Sequence, residues 1–512
     1  MHMSRPRKIS AVTCSALAAT SLFAKENRWC DITGLLGDRH DNPDISQRKS
    51  NRLLEFISVE TSILKNRMLR ARAWASAVKS RNKIYLIGGL ENPTDTTSAV
   101  AGIEYLDLAD MKFYRLDTGG DIHRGADPRC YSVLGPFLSV NDSTLVALGG
   151  NGAAASGIIL DPRTHFAFPP GCSRAEYKAF AQSLAQGHPN TSMFKARVSL
   201  ESVLGNRAFS TAHAFGDDVM VIGGVLVDES WHAAPTNSTL FYNAATGHLR
   251  PGPAMHEPRA RHTSIMLNSD EVLVVGGDRG KTPSAEIFNY ATKQWRYTKG
   301  APGRIRWDAK SVQTPYGILI AGGKCGAKGR SLSNLELYSA EKDSFIDLGA
   351  IHEIFYAIVM DKKFKELSPF DFCNPGKNIR ASMDSRIGAS IYGYLVQGRS
   401  YHESFAGADG SVFFAGGEST IMGTEIIRRS IERWDAETNR STIVGYLSSG
   451  KNGACCVKAG VAVAGGMYEE RYIVFGGEKA AGVGSREAEM ITVKYSFESK
   501  DKEYALNLLR SE

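Results

Sequence analysis

The chain has 512 residues, with 61 Lys and Arg against 54 Asp and Glu, and its net charge of +7 is dispersed. A content of 43% hydrophobic and 22% charged residues is that of a globular protein and argues against a chain without a packed core. No basic stripe interleaved with aromatics speaks for nucleic acid, and no apolar run outside the N-terminus reaches the roughly 18 residues of a membrane span.

Residues 4–8 are basic, and 9–24 are small and mildly apolar. This fits a weak secretory signal cut near Ala24, a transit peptide, or a plain tail. Residues 1–25 are therefore set apart, with a linker at 26–53, and the compartment stays open, a cytoplasmic one included. Leu54–Leu64 alternates and is β-branched, which predicts a strand. The alternative is a helix over about 45–70.

Seven short apolar strands then follow, each ending in Gly-Gly: KIYLI, TLVAL, DVMVI, EVLVV, GILIA, SVFFA and RYIVF. The doublets begin at 88, 149, 223, 276, 322, 416 and 476, so successive spacings are 61, 74, 53, 46, 94 and 60 residues. A strand-plus-turn unit repeated at such a period marks a repeat architecture. The unit beginning at Arg259 is the clearest. Arg259-Ala-Arg261-His262 leads to EVLVV-Gly-Gly, then to Ala285-Glu-Ile-Phe-Asn289, and closes on Trp295, giving four strands in about 45 residues. Excess spacing marks insertions at about 168–205 and 346–398. Residues 386–398 echo the unit, but the 18 residues from Gly398 to Gly416 are too few for another.

An Arg, an aromatic or His close behind it, an apolar strand, Gly-Gly, a v-E-v-Y-D strand and a later aromatic together resemble the kelch repeat. That repeat also builds the central domain of galactose oxidase. The resemblance covers about residues 55–497. It implies an all-β seven-bladed β-propeller over 54–497, of four-stranded blades, with a charged tail at 498–512. The last unit lacks its outer strand, and the strand near Leu54–Leu64 is expected to supply it, removing an exposed edge.

Chemistry is harder to find. Gly445 to Asn452 falls one residue short of a phosphate loop and ends in Asn where Mg²⁺ needs a hydroxyl. His352-Glu353 and His402-Glu403 lack the second His of a metalloprotease helix. The eight cysteines (Cys14, Cys30, Cys130, Cys172, Cys325, Cys373, Cys455, Cys456) show neither a CxxC pair nor zinc spacing, so no metal or cofactor is expected. The residues opening each unit are the candidate binding set: Arg72, Trp74, Arg207, Arg259, Arg261, His262, Arg306, Trp307, Arg399 and His402. Repetition brings them to equivalent places, expected near one mouth of a central channel. Arg and aromatics suit binding, but repetition equally suits packing residues. What the resemblance implies is a non-catalytic platform for a protein partner, with carbohydrate as the other ligand class. A sugar-modifying enzyme, mutarotase-like or copper oxidase-like, is the competing reading. The copper radical set of two Tyr, two His and a Cys cannot be placed on matching positions, and a mutarotase, needing only a carboxylate or His and an Arg clamp, would leave little sequence trace.

Overall fold

The computed structural model describes residues 54–95, 98–100, 102–116, 136–140, 144–149, 157–162, 166–168, 206–227, 233–277, 283–326, 329–349, 386–421, 424–464 and 466–497. Residues 1–53, most of both expected insertions and the tail at 498–512 lie outside them, as do Gly150, His352 and Glu353. The described chain is all-β, and among these residues no helix is long and apolar enough to cross a membrane.

Among the described residues, seven antiparallel sheets of four or more strands follow one another along the chain, with four smaller ones beside them. The first sheet is Ser76–Ser80, Lys83–Ile87, Ile103–Asp107 and Lys112–Arg115; the second is Phe137–Val140, Thr144–Leu148, Gly157–Asp161 and Phe166–Phe168. The third runs Thr211–Phe215, Asp218–Ile222, Thr239–Asn243 and Leu249–Gly252; the fourth runs Thr263–Met266, Glu271–Val275, Ala285–Asn289 and Gln294–Tyr297. Lys310–Thr314, Gly317–Ala321, Leu335–Ser339 and Ser344–Asp347 form the fifth. The sixth is Glu403–Ala406, Val412–Ala415, Ser430–Asp435 and Arg440–Tyr446, to which Ser390–Tyr392 adds a fifth strand. The stretch at 386–398 that echoes the repeat therefore extends the sixth sheet.

The seventh sheet contains Cys455–Ala464, Met467–Phe475 and Ala488–Phe497, and its fourth strand is the N-terminal Leu54–Ile63. That strand pairs antiparallel with Ala488–Phe497, from Leu54 opposite Phe497 to Ile63 opposite Glu489, with one bulge between Phe56 and Ser58. The strand reading of this stretch holds over the helical alternative. Its alternation buries Leu54 and packs Phe56 and Val59 against the sheet.

Hydrophobic burial occurs between sheets. Seven apolar clusters each join one sheet to the next, and the last of them joins the seventh to the first. Second strands show why. Tyr85 and Ile87 face the second sheet, whereas Ile84 and Leu86 meet Ile473 and Phe475 of the seventh. A strand sandwiched on both faces must be apolar on both, as residues 84–87 are. The first strands also touch in a cycle, each against that of the next sheet and Cys455–Ala464 against Ser76–Ser80.

The Gly-Gly doublets sit where neighbouring sheets meet. At Gly322 (φ +61°) an added Cβ would lie 2.4 Å from the Arg399 carbonyl oxygen of the sixth unit. At Gly476 (φ +62°) it would lie 2.1 Å from that of Arg72 in the first. No side chain fits such gaps, and the backbone conformation itself favours glycine. The following glycines donate across the same junctions: Gly323 N–H to Arg399 O at 2.8 Å, and Gly477 N–H to Arg72 O at 2.8 Å.

Candidate functional site

Among the described residues, six of the units open with a cation that the fold buries. Arg72, Arg207, Arg259, Arg306 and Arg399 are at most 3% exposed. Each donates to the carbonyl of the first glycine in its own unit: Gly88, Gly223, Gly276, Gly322 and Gly416. Four of them pair with a buried glutamate on the third strand: Arg72 with Glu104, Arg259 with Glu286, Arg306 with Glu336 and Arg399 with Glu432. Those carboxylates also accept the backbone N–H three residues before the arginine, from Leu69, His256, Gly303 and Val396. In the third unit Leu240 stands where the glutamate would be, and burial lowers the Arg207 pKa to about 10. The seventh unit uses Lys451, 1% exposed, whose carbonyl accepts from Gly417 N–H at 2.7 Å. The segment resembling a phosphate loop is thus the opening of a repeat.

Two residues after each cation stands a second equivalent position: Trp74, Phe209, Arg261, Asp308, Tyr401 and Gly453. All six have positive φ, from 51° to 60°. Their backbones are linked from unit to unit: Arg261 N–H donates to Phe209 O, Asp308 to Arg261 O, Gly453 to Tyr401 O, and Trp74 to Gly453 O. Together they line one end of a cavity of about 410 Å³, at the starts of the first strands.

Polar side chains of the lining are hydrogen-bonded to one another or to their neighbours. Thr211 Oγ1 meets His262 Nε2 at 2.9 Å, His213 Nε2 meets Ser264 Oγ at 2.6 Å, and Thr263 Oγ1 meets Ser311 Oγ at 2.7 Å. Lys310 Nζ donates to Glu403 at 2.9 Å. Burial lowers the His213 pKa to about 4, and burial with the nearby Arg259 lowers that of His262 to about 3. Both are neutral hydrogen-bonding partners at physiological pH.

Arg261 and Asp308 form a bidentate pair, Nε to Oδ1 at 3.0 Å and Nη2 to Oδ2. The Arg261 guanidinium lies 5.3 Å from the Phe209 ring centroid and 5.4 Å from that of Tyr401. Burial pushes the Asp308 carboxyl up to about 6 and outweighs Arg261, which lowers it. A pKa raised on folding gives stability that is complete below the ordinary value of 3.8 and lost as pH rises through about 6. Asp308→Asn should therefore gain on wild type as pH rises: the melting-temperature difference, variant minus wild type, becomes more positive between pH 4 and 7.

Of the ten residues singled out from the sequence, Trp74, Arg261 and His262 line the cavity. The five arginines of the first position are internal. His402 is fully buried beside Phe414, with neither ring nitrogen hydrogen-bonded, and burial holds it neutral. Trp307 is half-buried, and its backbone bridges Lys324. Phe209, Asp308, Tyr401 and Gly453 were missed, although their spacing from the cation is regular. Among the described residues, no group of three or more His, Cys, Asp or Glu is arranged to hold a metal ion. Cys325, Cys455 and Cys456 are free, and burial raises the pKa of each thiol. No protein-family model matches this chain, and no curated protein does.

Proposed function

We propose that the chain is a closed seven-bladed β-propeller of kelch type, and that it works as a non-catalytic binding module whose ligand sits in the mouth cavity. The cyclic contacts of the first strands and the seven inter-sheet clusters support the closed ring. One observation carries the binding role. Five large or charged side chains occupy a position with positive φ, where glycine costs least and L-residues cost about 1–2 kcal/mol each. Strain kept at one site in unit after unit speaks for a use of those side chains.

A concave cavity with three aromatics, an Arg–Asp pair and a wall of hydroxyls suits a compact polar ligand. This favours a saccharide over the flat face expected of a protein partner. Phe209→Gly and Tyr401→Gly test it. Relief of backbone strain offsets the lost burial of a half-exposed ring, so melting should shift by no more than about 4 °C. Retention on a saccharide panel should fall about tenfold or more, and a native extract is offered in parallel. A protein retained by wild type and lost by the variants would instead make the mouth a protein-binding site. Retention that both variants leave intact would overturn the mouth as the site.

A further inference from the structure

Gly453 breaks the pattern of the mouth. Its φ of +60° does not explain it, because Trp74, Phe209, Arg261, Asp308 and Tyr401 adopt 51–58° at the equivalent place with full side chains. What distinguishes Gly453 is its neighbour. A Cβ there would stand 2.2 Å from Cδ1 and 2.3 Å from Nε1 of Trp74. The indole therefore lies directly on the Gly453 backbone, and Trp74 N–H donates to Gly453 O at 2.7 Å. Unit seven contributes no side chain at this position of the mouth, and the tryptophan of unit one occupies the room.

This makes the mouth two-sided. Trp74 and Gly453 form an apolar floor at the junction of the seventh and first sheets. In the cyclic order the Arg261–Asp308 pair, on the fourth and fifth units, lies across from that junction. Two of the guanidinium nitrogens of Arg261 are committed to Asp308. A ligand spanning the two sides presents an apolar face at one end and hydrogen-bonding groups at the other.

We propose that Gly453 is a positioning residue, that Trp74 seated on it is a stacking platform, and that the mouth takes a sugar ring with its C–H face on the indole and its hydroxyls toward Arg261 and Asp308. The inference rests on the mouth-cavity reading above. C–H faces of pyranosides stack on aromatic rings, and a guanidinium–carboxylate pair offers donors and acceptors together.

The test uses the indole N–H signals of the six tryptophans in the full chain, that of Trp74 being assigned by its loss in Trp74→Phe. Methyl β-galactoside, methyl α-mannoside and N-acetylglucosamine are the probes. One of them should shift the Trp74 signal of wild type. Gly453→Ala should move that signal before any sugar is added and weaken the sugar about tenfold or more. Adding Gly453→Ala to Trp74→Ala should cost no further sugar affinity. If Gly453→Ala fails to fold, the double variant should fold, because the indole that clashes is gone. A double variant that also fails to fold overturns the positioning role, as does an unmoved Trp74 signal in Gly453→Ala. A moved signal with unchanged affinity overturns the platform. A wild type whose Trp74 signal no probe shifts overturns the sugar ring. Capture of a protein that Tyr401→Gly abolishes would then leave the mouth itself standing as a binding site.

Discussion

Deleting Leu54–Ile63 is expected to abolish cooperative melting at physiological temperature. The strand contributes nine register pairs to the seventh sheet, buries Leu54 and packs Phe56 within 5.9 Å of the Phe413 ring. Net gains of about 1 kcal/mol per hydrogen bond and about 1.5–3 kcal/mol per buried apolar side chain put its worth on the order of 5 kcal/mol or more. That is comparable to the whole stability of an ordinary domain, about 5–15 kcal/mol. Its loss would also bare the backbone of Ala488–Phe497 as an open edge, so aggregation should accompany unfolding. Circular dichroism melts and size-exclusion chromatography read both effects. Restoration by a synthetic peptide of residues 54–63 would assign the loss to closure. A deletion variant that melts like wild type would show that this strand does not hold the ring.

Arg399→Ala should lower stability by about 3–5 kcal/mol, the usual cost of leaving one half of a buried ion pair behind. Arg399 and Glu432 are both fully buried. The carboxylate that remains would keep only its backbone donors, Val396 and Gln397, and Arg399 would no longer donate to Gly416 O and Ser430 Oγ. A lower urea midpoint at unchanged slope is the expected reading. Arg399→Met with Glu432→Leu should recover only part of the loss, because it removes the stranded charge but leaves the N–H groups of Val396 and Gln397 and the Gly416 carbonyl without these partners. If Arg399→Ala instead kept its stability and lost ligand, the first position would be a binding position after all.

The sheets were legible in the sequence because their signal is local. Each second strand ends in at least four apolar residues before Gly-Gly, and Leu54–Ile63 alternates. The strand at Ser390–Tyr392 and the small ribbons that follow several doublets, such as Glu418–Ile421 with Thr424–Ile427, carry no comparable pattern. The site was half legible. Sequence reasoning settled on the arginines because they recur, but recurrence of one residue type is what a packing position shows. Their glutamates lie about 30 residues downstream, so the pairing that removes them from solvent is invisible along the chain. The position two residues later changes from Trp to Phe, Arg, Asp, Tyr and Gly, and only its shared backbone conformation reveals it as one place. Lys451 escaped notice because Lys-Asn-Gly does not look like the openings it matches.

The pairing of Leu54–Ile63 with Ala488–Phe497 also orders events during synthesis. Lys494 meets Glu60 across the last pairing, 434 residues apart. At about 5–20 residues per second, the strand that leaves the ribosome first waits roughly 20–90 s for its partner. Six sheets can form in that interval, each offering an apolar flank to the next, while Leu54–Ile63 stays unpaired with its exposed Ile57 and Ile63. The seventh sheet thus cannot be completed until Ala488–Phe497 has been made, and the nascent chain carries one short, sticky segment unpaired until then.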